Sequence, residues 1–178
     1  MRNWCKQHPI AFMLGYLVFY LLFFLFLEQT VTVPKLVLHC AVDDLIPFSK
    51  YAIVPYYLWF AWIPVTLLFL LWKAPRREFW RLCLPLFAGM TIALCICLIL
   101  PNGVYLRPRY VFGDDIFAQA VRGLYRTDTS TNVFPSIHVF NAVTLDLAWQ
   151  RCSLFHGRKR TLLCWGSHLL DISILLPP

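Results

Sequence analysis

Three stretches of the chain have close to the length at which an apolar helix crosses a bilayer: Ile10 to Leu27, Tyr51 to Trp72 and Leu82 to Leu100. A hydrocarbon core roughly 30 Å thick needs about 20 such residues. Inside it every backbone N–H and C=O must be satisfied within the protein, which leaves helices and closed barrels. These segments are about twice as long as a barrel strand and lack its alternation, so they read as helices. A fourth segment, Ser136 to about Phe155, is interrupted by Asn141, Asp146, Gln150 and Arg151, and a fifth, from Leu162 onward, runs into the last residues. A composition that is 60% hydrophobic and 14% charged agrees with a membrane protein and excludes an ordinary soluble domain. The expected fold is all-α: a polytopic transmembrane helical bundle of about five spanning segments, the last incomplete, forming one domain over residues 1–178.

The first segment carries a basic flank, Arg2 and Lys6, but no small-residue cleavage site follows it, so it is expected to be retained as a helix. Arg2 and Lys6, then Lys73, Arg76, Arg77 and Arg81, then Arg151, Arg158, Lys159 and Arg160 fall on one side of the expected bundle, which the positive-inside rule makes cytoplasmic. The 28–50 and 101–135 loops then face outward. The second still holds Arg107, Arg109, Arg122 and Arg126, which either serve a function or are balanced by Asp114, Asp115 and Asp128. The net charge of +7 sits mostly in the cytoplasmic loops and answers to anionic lipid and topology, so no nucleic-acid partner is implied. Seven cysteines without a C-x-x-C pair give neither a disulfide framework nor a zinc site. Cys95 and Cys97 are expected to pack within a span, and the tryptophans to mark span ends.

Asp43 and Asp44 have only His39 nearby and read as solvated loop charges rather than metal ligands. The long 101–135 loop is more informative. Pro101 and Gly103 stop the third helix, and "DDIFAQAVRGLY" spaces Ile116, Phe117, Val121 and Leu124 as an amphipathic helix that would lie along the outer face of the bilayer. Then "NVFPSIHVFN" returns the chain to the membrane. Pro135 leads into the fourth helix, so the amides of Ser136, Ile137 and His138 are first-turn donors at the positive end of the helix dipole. Such a terminus suits an anion. A hydroxyl from Ser136, an imidazole from His138 and the planar fork of Arg107 would complete a phosphoryl site, with His138 able to protonate a leaving oxygen. The alternative has Ser136 as a plain helix cap and His138 as an interfacial polar residue.

"RP" at 107–108, about two dozen residues, and then "PSIH" opening a membrane helix resemble the type 2 phosphatidic acid phosphatase superfamily. The strings "DDLIPF", "PYYLWF" and "TDTSTNVFPSIHVFNAV" look more like its branch of bacterial membrane phosphatases and inositol phosphorylceramide synthase-like phosphotransferases. The resemblance spans about residues 40–150. It implies that Arg107 binds the phosphate, Ser136 the oxyanion, and His138 protonates the leaving group, with no metal and no cofactor. Two positions depart from the family's motifs. The family's lysine, seven residues before the arginine, falls on Leu100, leaving Arg109, Arg122 or Arg126 to supply its contact; the glycine of Pro-Ser-Gly-His is Ile137, which keeps its N–H but adds bulk beside the phosphate.

The family's nucleophile is a third-motif histidine, and it has no clear counterpart. His156 lies among cytoplasmic basic residues, and His168 lies about 12 Å above Arg160 at 1.5 Å per residue, well below the expected catalytic plane. The third motif is therefore expected just beyond Pro178, with the C-terminal part of the domain cut short and this chain inactive or very weak. The expected function is that of an integral membrane phosphatase acting on a lipid phosphate monoester or diphosphate through a phosphohistidine. A phosphotransferase moving a phosphorylated head group between lipids and a non-catalytic lipid-phosphate-binding protein stay open beside it. Partners are membrane lipids and a phosphorylated lipid, and the expected location is a bacterial plasma membrane with the N-terminus cytoplasmic and the active-site face outside.

Overall fold

The computed structural model describes residues 7–41, 43–108 and 110–173, and most of these are helical. Helix α1, Pro9–Thr30, starts with proline at its first turn, where the missing N–H costs nothing. Helix α2, Ile53–Lys73, is led in by a 3₁₀ turn at Lys50–Ala52. Helix α3, Arg76–Ile99, follows after Pro75. These three are long and apolar enough to cross a membrane, and they mark the chain as a membrane protein. Helix α4, Ile116–Thr127, lies in the long loop; α5 covers Ile137–Gln150 and α6 Arg158–Ser173. At 14 and 16 residues, α5 and α6 are shorter than the first three, because the chain turns at Arg151 to Gly157 where the fourth segment was expected to continue.

Helix α3 is the hub, packing against α1, α2 and α5, while α6 closes against α5 and α2. Leu67, Leu70 and Leu71 of α2, Phe79, Leu82 and Leu86 of α3, and Leu145 of α5 form the main core. Lipid cannot drive helices together by hydrophobic burial, so close packing and interhelical hydrogen bonds hold them. Tyr16 of α1 supplies both: its ring stacks on Phe87 with centroids 3.8 Å apart, and its hydroxyl donates to the Phe87 carbonyl at 2.8 Å. Trp149 Nε1 donates to Thr66 at 3.3 Å across α5 and α2. Trp59 and Trp149 are buried core residues rather than interfacial markers, whereas Trp72, at the end of α2, is exposed. Cys97 is buried as expected, but Cys95 is exposed on the outside of α3.

At the end of the bundle that carries the long loop, three chain segments are stitched together. Strand β1, Leu36–Val37, pairs in parallel with β2, Asn102–Gly103, and Gly103 bridges in antiparallel sense to Thr131. Gly103 is thus a strand residue as well as the expected stop after α3. A Cβ there would sit 2.8 Å from the Ser130 carbonyl oxygen and 3.0 Å from Pro34, and the nearer of these is backbone with no freedom to withdraw.

The amphipathic helix α4 forms as expected but docks differently. Val121 packs with Ile53 and Tyr56 at the start of α2, bordered by Phe117 and Leu124, so most of the apolar stripe of α4 is spent on protein, while Ile116 stays exposed. Gly103→Val is expected to lower stability by about 1–3 kcal/mol through forced displacement of the Ser130 strand, read as a fall in the thermal midpoint of the detergent-purified chain, while Gly123→Ala, which meets open space, leaves it unchanged or raised.

Candidate functional site

The segment 128–135 has to enter α5 without regular structure, so its buried backbone groups need side-chain partners. Asn102, completely buried in β2 just after α3, supplies them. Its Oδ1 accepts from the amides of Val133 (3.1 Å) and Phe134 (2.8 Å), and its Nδ2 donates to the carbonyls of Phe134 (2.7 Å) and Leu100 (2.9 Å). Glu28, buried at the end of α1, accepts from the Thr129 amide (3.0 Å), the Thr129 hydroxyl (2.5 Å) and Asn132 Nδ2 (2.9 Å). Two polar side chains, one from β2 and one from α1, therefore hold one loop in place. Neither belongs to the sequence-derived site. An acid terminating an otherwise apolar span is the signal that points to Glu28.

Tyr56 links Arg107 and His138: its hydroxyl shares the Asp128 carboxylate with Arg107, and its ring neighbours that of His138. Arg107 donates through one terminal nitrogen to the Asp128 carbonyl at 2.5 Å and through the other to Asp128 Oδ2 at 3.3 Å, and its guanidinium lies 4.5 Å from the Tyr125 ring centroid. The Tyr56 hydroxyl donates to the same Oδ2 at 3.4 Å, and the Tyr56 ring lies 5.4 Å from that of His138. Trp59 and Phe60 complete an aromatic surround for His138 at 4.6 and 6.0 Å. Its Nε2 is buried there without a hydrogen-bond partner among the described residues. Burial pushes the Asp128 carboxyl up from the ordinary carboxylate range, with Arg107 opposing and Glu28 reinforcing the shift.

Ser136 is the N-cap of α5, its Oγ accepting from the Val139 amide at 3.3 Å. A hydroxyl that accepts in a cap still has its proton to donate, so this role is compatible with an anion at the helix end. Helix α5 proper begins at Ile137, one residue later than a proline-led start would give, and the amides of Ile137 and His138 stay in its first turn. The Ile137 side chain packs toward Leu27, Val31, Leu94 and Cys97, so its bulk goes into the core rather than beside an anion.

The other candidates are placed elsewhere. Arg109 lies outside the described residues. Arg122 donates to the carbonyls of Val111 (3.1 Å) and Gly113 (2.8 Å) and pairs with Asp114 at 3.5 Å, which is the charge-balance reading of that arginine. Arg126 is exposed, as is Leu100 at the end of α3. Asp115 caps α4, accepting from the amides of Phe117 and Ala118 at 3.0 Å, and pairs with Lys50; the lysine holds its carboxyl below the usual range. Asp43 accepts from the Cys40 amide and Asp44 pairs with His39 at 3.0 Å, as loop charges do. No three His, Cys, Asp or Glu side chains among the described residues gather to hold a metal.

His168 does not approach His138. Its Nε2 is 3.7 Å from Asp146 Oδ2, which also accepts from Gln150, and Asp146 lies two turns, about 12 Å, along α5 from His138. Asn102→Ala is expected to cost at least about 2 kcal/mol, because the amides of Val133 and Phe134 lose their acceptor, and amide exchange at 132–134 should accelerate before that of α2 or α3 does. No family model matches the chain, and no curated protein or solved structure is significantly similar to it.

Proposed function

We propose that this protein is a lipid-phosphate-binding membrane protein built on the plan of the type 2 phosphatidic acid phosphatases. In this reading Arg107, the Ser136 hydroxyl and the first-turn amides of α5 receive the phosphoryl oxygens of a lipid phosphate monoester or diphosphate. His138 is the residue that would protonate a leaving oxygen once its ring is drawn out of the aromatic surround of Tyr56, Trp59 and Phe60. The membrane is a bacterial plasma membrane, with α5 and α6 continuing the three long helices as a fourth and fifth crossing. The N-terminus is cytoplasmic and the 101–135 loop faces outward.

The observation that carries this reading is the convergence of Arg107 and His138 on Tyr56, although they come from a loop and from a different helix. Acting on one head group, a guanidinium fork and a positive helix end would make a complementary seat for a dianion. The ring neighbours of His138 are Tyr56, Trp59 and Phe60, none of which is a nucleophilic histidine, and His168 is engaged with Asp146. Binding is therefore assigned to this chain, and hydrolysis through a phosphohistidine is very weak in it.

Binding of a short-chain phosphatidic acid to the detergent-purified chain in EDTA tests this. Arg107→Ala should weaken binding by tenfold or more, as loss of a charge-assisted contact worth about 1.5–3 kcal/mol requires, with phosphate release near background. Binding indifferent to Arg107→Ala would overturn the site. EDTA-resistant release that vanishes in His138→Ala would replace the binding reading with an active phosphatase.

A further inference from the structure

Arg107 is held in two ways that differ in permanence. Its contact with the Asp128 carbonyl, at 2.5 Å, and its stacking over Tyr125 involve groups that stay uncharged whatever the ligand. Its contact with the Asp128 carboxylate, at 3.3 Å, is longer, and among the described residues that same Oδ2 takes one further bond, the 3.4 Å donation from Tyr56. The carboxylate therefore occupies, with two long bonds, the fork position that a phosphoryl oxygen would take. The guanidinium would remain in place if the carboxylate left, because the carbonyl and the tyrosine ring still hold it.

Resting on the lipid-phosphate reading, we propose that the Asp128 carboxylate is a built-in occupant of the Arg107 fork that an incoming phosphoryl group displaces with uptake of one proton, so that capture is favoured by acid. The groups facing Asp128 make the proton necessary. Arg107 comes from the long loop, Tyr56 from α2, Glu28 and Tyr20 from α1, and Tyr125 flanks the guanidinium from α4. Arg107 is the only cation of this set. Once it turns to phosphate, an ionised Asp128 would face Glu28 and the phosphate, both anionic, with Tyr56 as its one donor. It takes a proton from water and remains as a neutral acid. The sign follows: a carboxyl that gains a proton when the anion binds makes affinity fall as pH rises between its free and its higher, anion-bound pKa.

The test measures dissociation constants for short-chain phosphatidic acid, and separately for inorganic phosphate, from about pH 4.5 to about pH 8 with the native chain, Asp128→Asn and Arg107→Ala. Dividing the native values by those of Asp128→Asn removes the titration of the probe itself. Asp128→Asn is expected to bind about tenfold tighter near pH 7.5, with the advantage shrinking toward acid. If Asp128→Asn shifts the thermal midpoint strongly, Asp128→Ser, which also removes the charge, is read instead. Arg107-dependent binding that neither variant tightens, or whose pH profile neither changes, overturns the exchange and leaves the phosphate site standing. Absence of Arg107-dependent binding in every form overturns the site and the exchange together. The same exchange seen with inorganic phosphate supports the proposal and assigns the fork to a free anion.

Discussion

An irregular loop packed at the end of an apolar bundle must have its backbone polar groups satisfied by protein, and here Asn102 and Glu28 meet that demand. An amide side chain offers one oxygen that accepts twice and one NH₂ that donates twice, and all four capacities of Asn102 are used within the segments 100–102 and 132–135. Glu28 reaches the same loop from α1, across about a hundred positions of sequence. A buried bond of this kind contributes only about 0.5–1.5 kcal/mol net, but leaving its partner unpaired costs about 1–3 kcal/mol. The arrangement therefore acts less as glue than as a selector. Other paths of the loop into α5 would strand several buried groups at once, and the position of Ser136 and His138 follows from the one path that does not.

How far the sequence reveals this depends on the range of the interaction concerned. The apolar runs of α1, α2 and α3 are legible because length and composition alone define a span, and the helices begin and end within a few residues of those runs. The exception is the start of α3, which reaches back to Arg76 because charged residues continue a helix perfectly well outside hydrocarbon. The caps are legible too: Ser136 and Asp115 stand where short polar residues satisfy first-turn amides. What is not legible is partnership. The stripe of α4 is equally suited to lipid or protein, and only the apolar start of α2, where Ile53 and Tyr56 are buried against it, decides between them. Tyr56, Asp128 and Asn102 carry no local pattern that singles them out, since their importance lies in contacts between distant segments.

The site geometry also divides the two roles given to the α5 terminus. As the cap of α5, Ser136 uses a lone pair and not its proton, so its hydroxyl would keep that proton for an anion. His138 is not equally free: its Nε2 faces apolar aromatic surface, which is a poor place for a proton to arrive or depart. A phosphate seated on the helix end would have to draw the ring out of this surround or be served by the opposite ring nitrogen. Binding and proton transfer are thus separable here, and capture of a phosphate does not by itself require that His138 be protonated.

The same separation appears at the level of the helices. For His168 to reach His138, α6 would have to slide about 12 Å, two turns, toward the long loop. That shift breaks the contact of His168 with Asp146, leaving a buried carboxylate with Gln150 alone. It also carries Arg160, eight residues before His168, to the depth Asp146 now occupies, with Lys159 and Arg158 just behind it. Three adjacent cations would then crowd the buried region around Asp146, which could pair with only one of them. The basic residues that open α6 therefore oppose such a slide, and His168 stays beside Asp146, two turns of α5 away from His138.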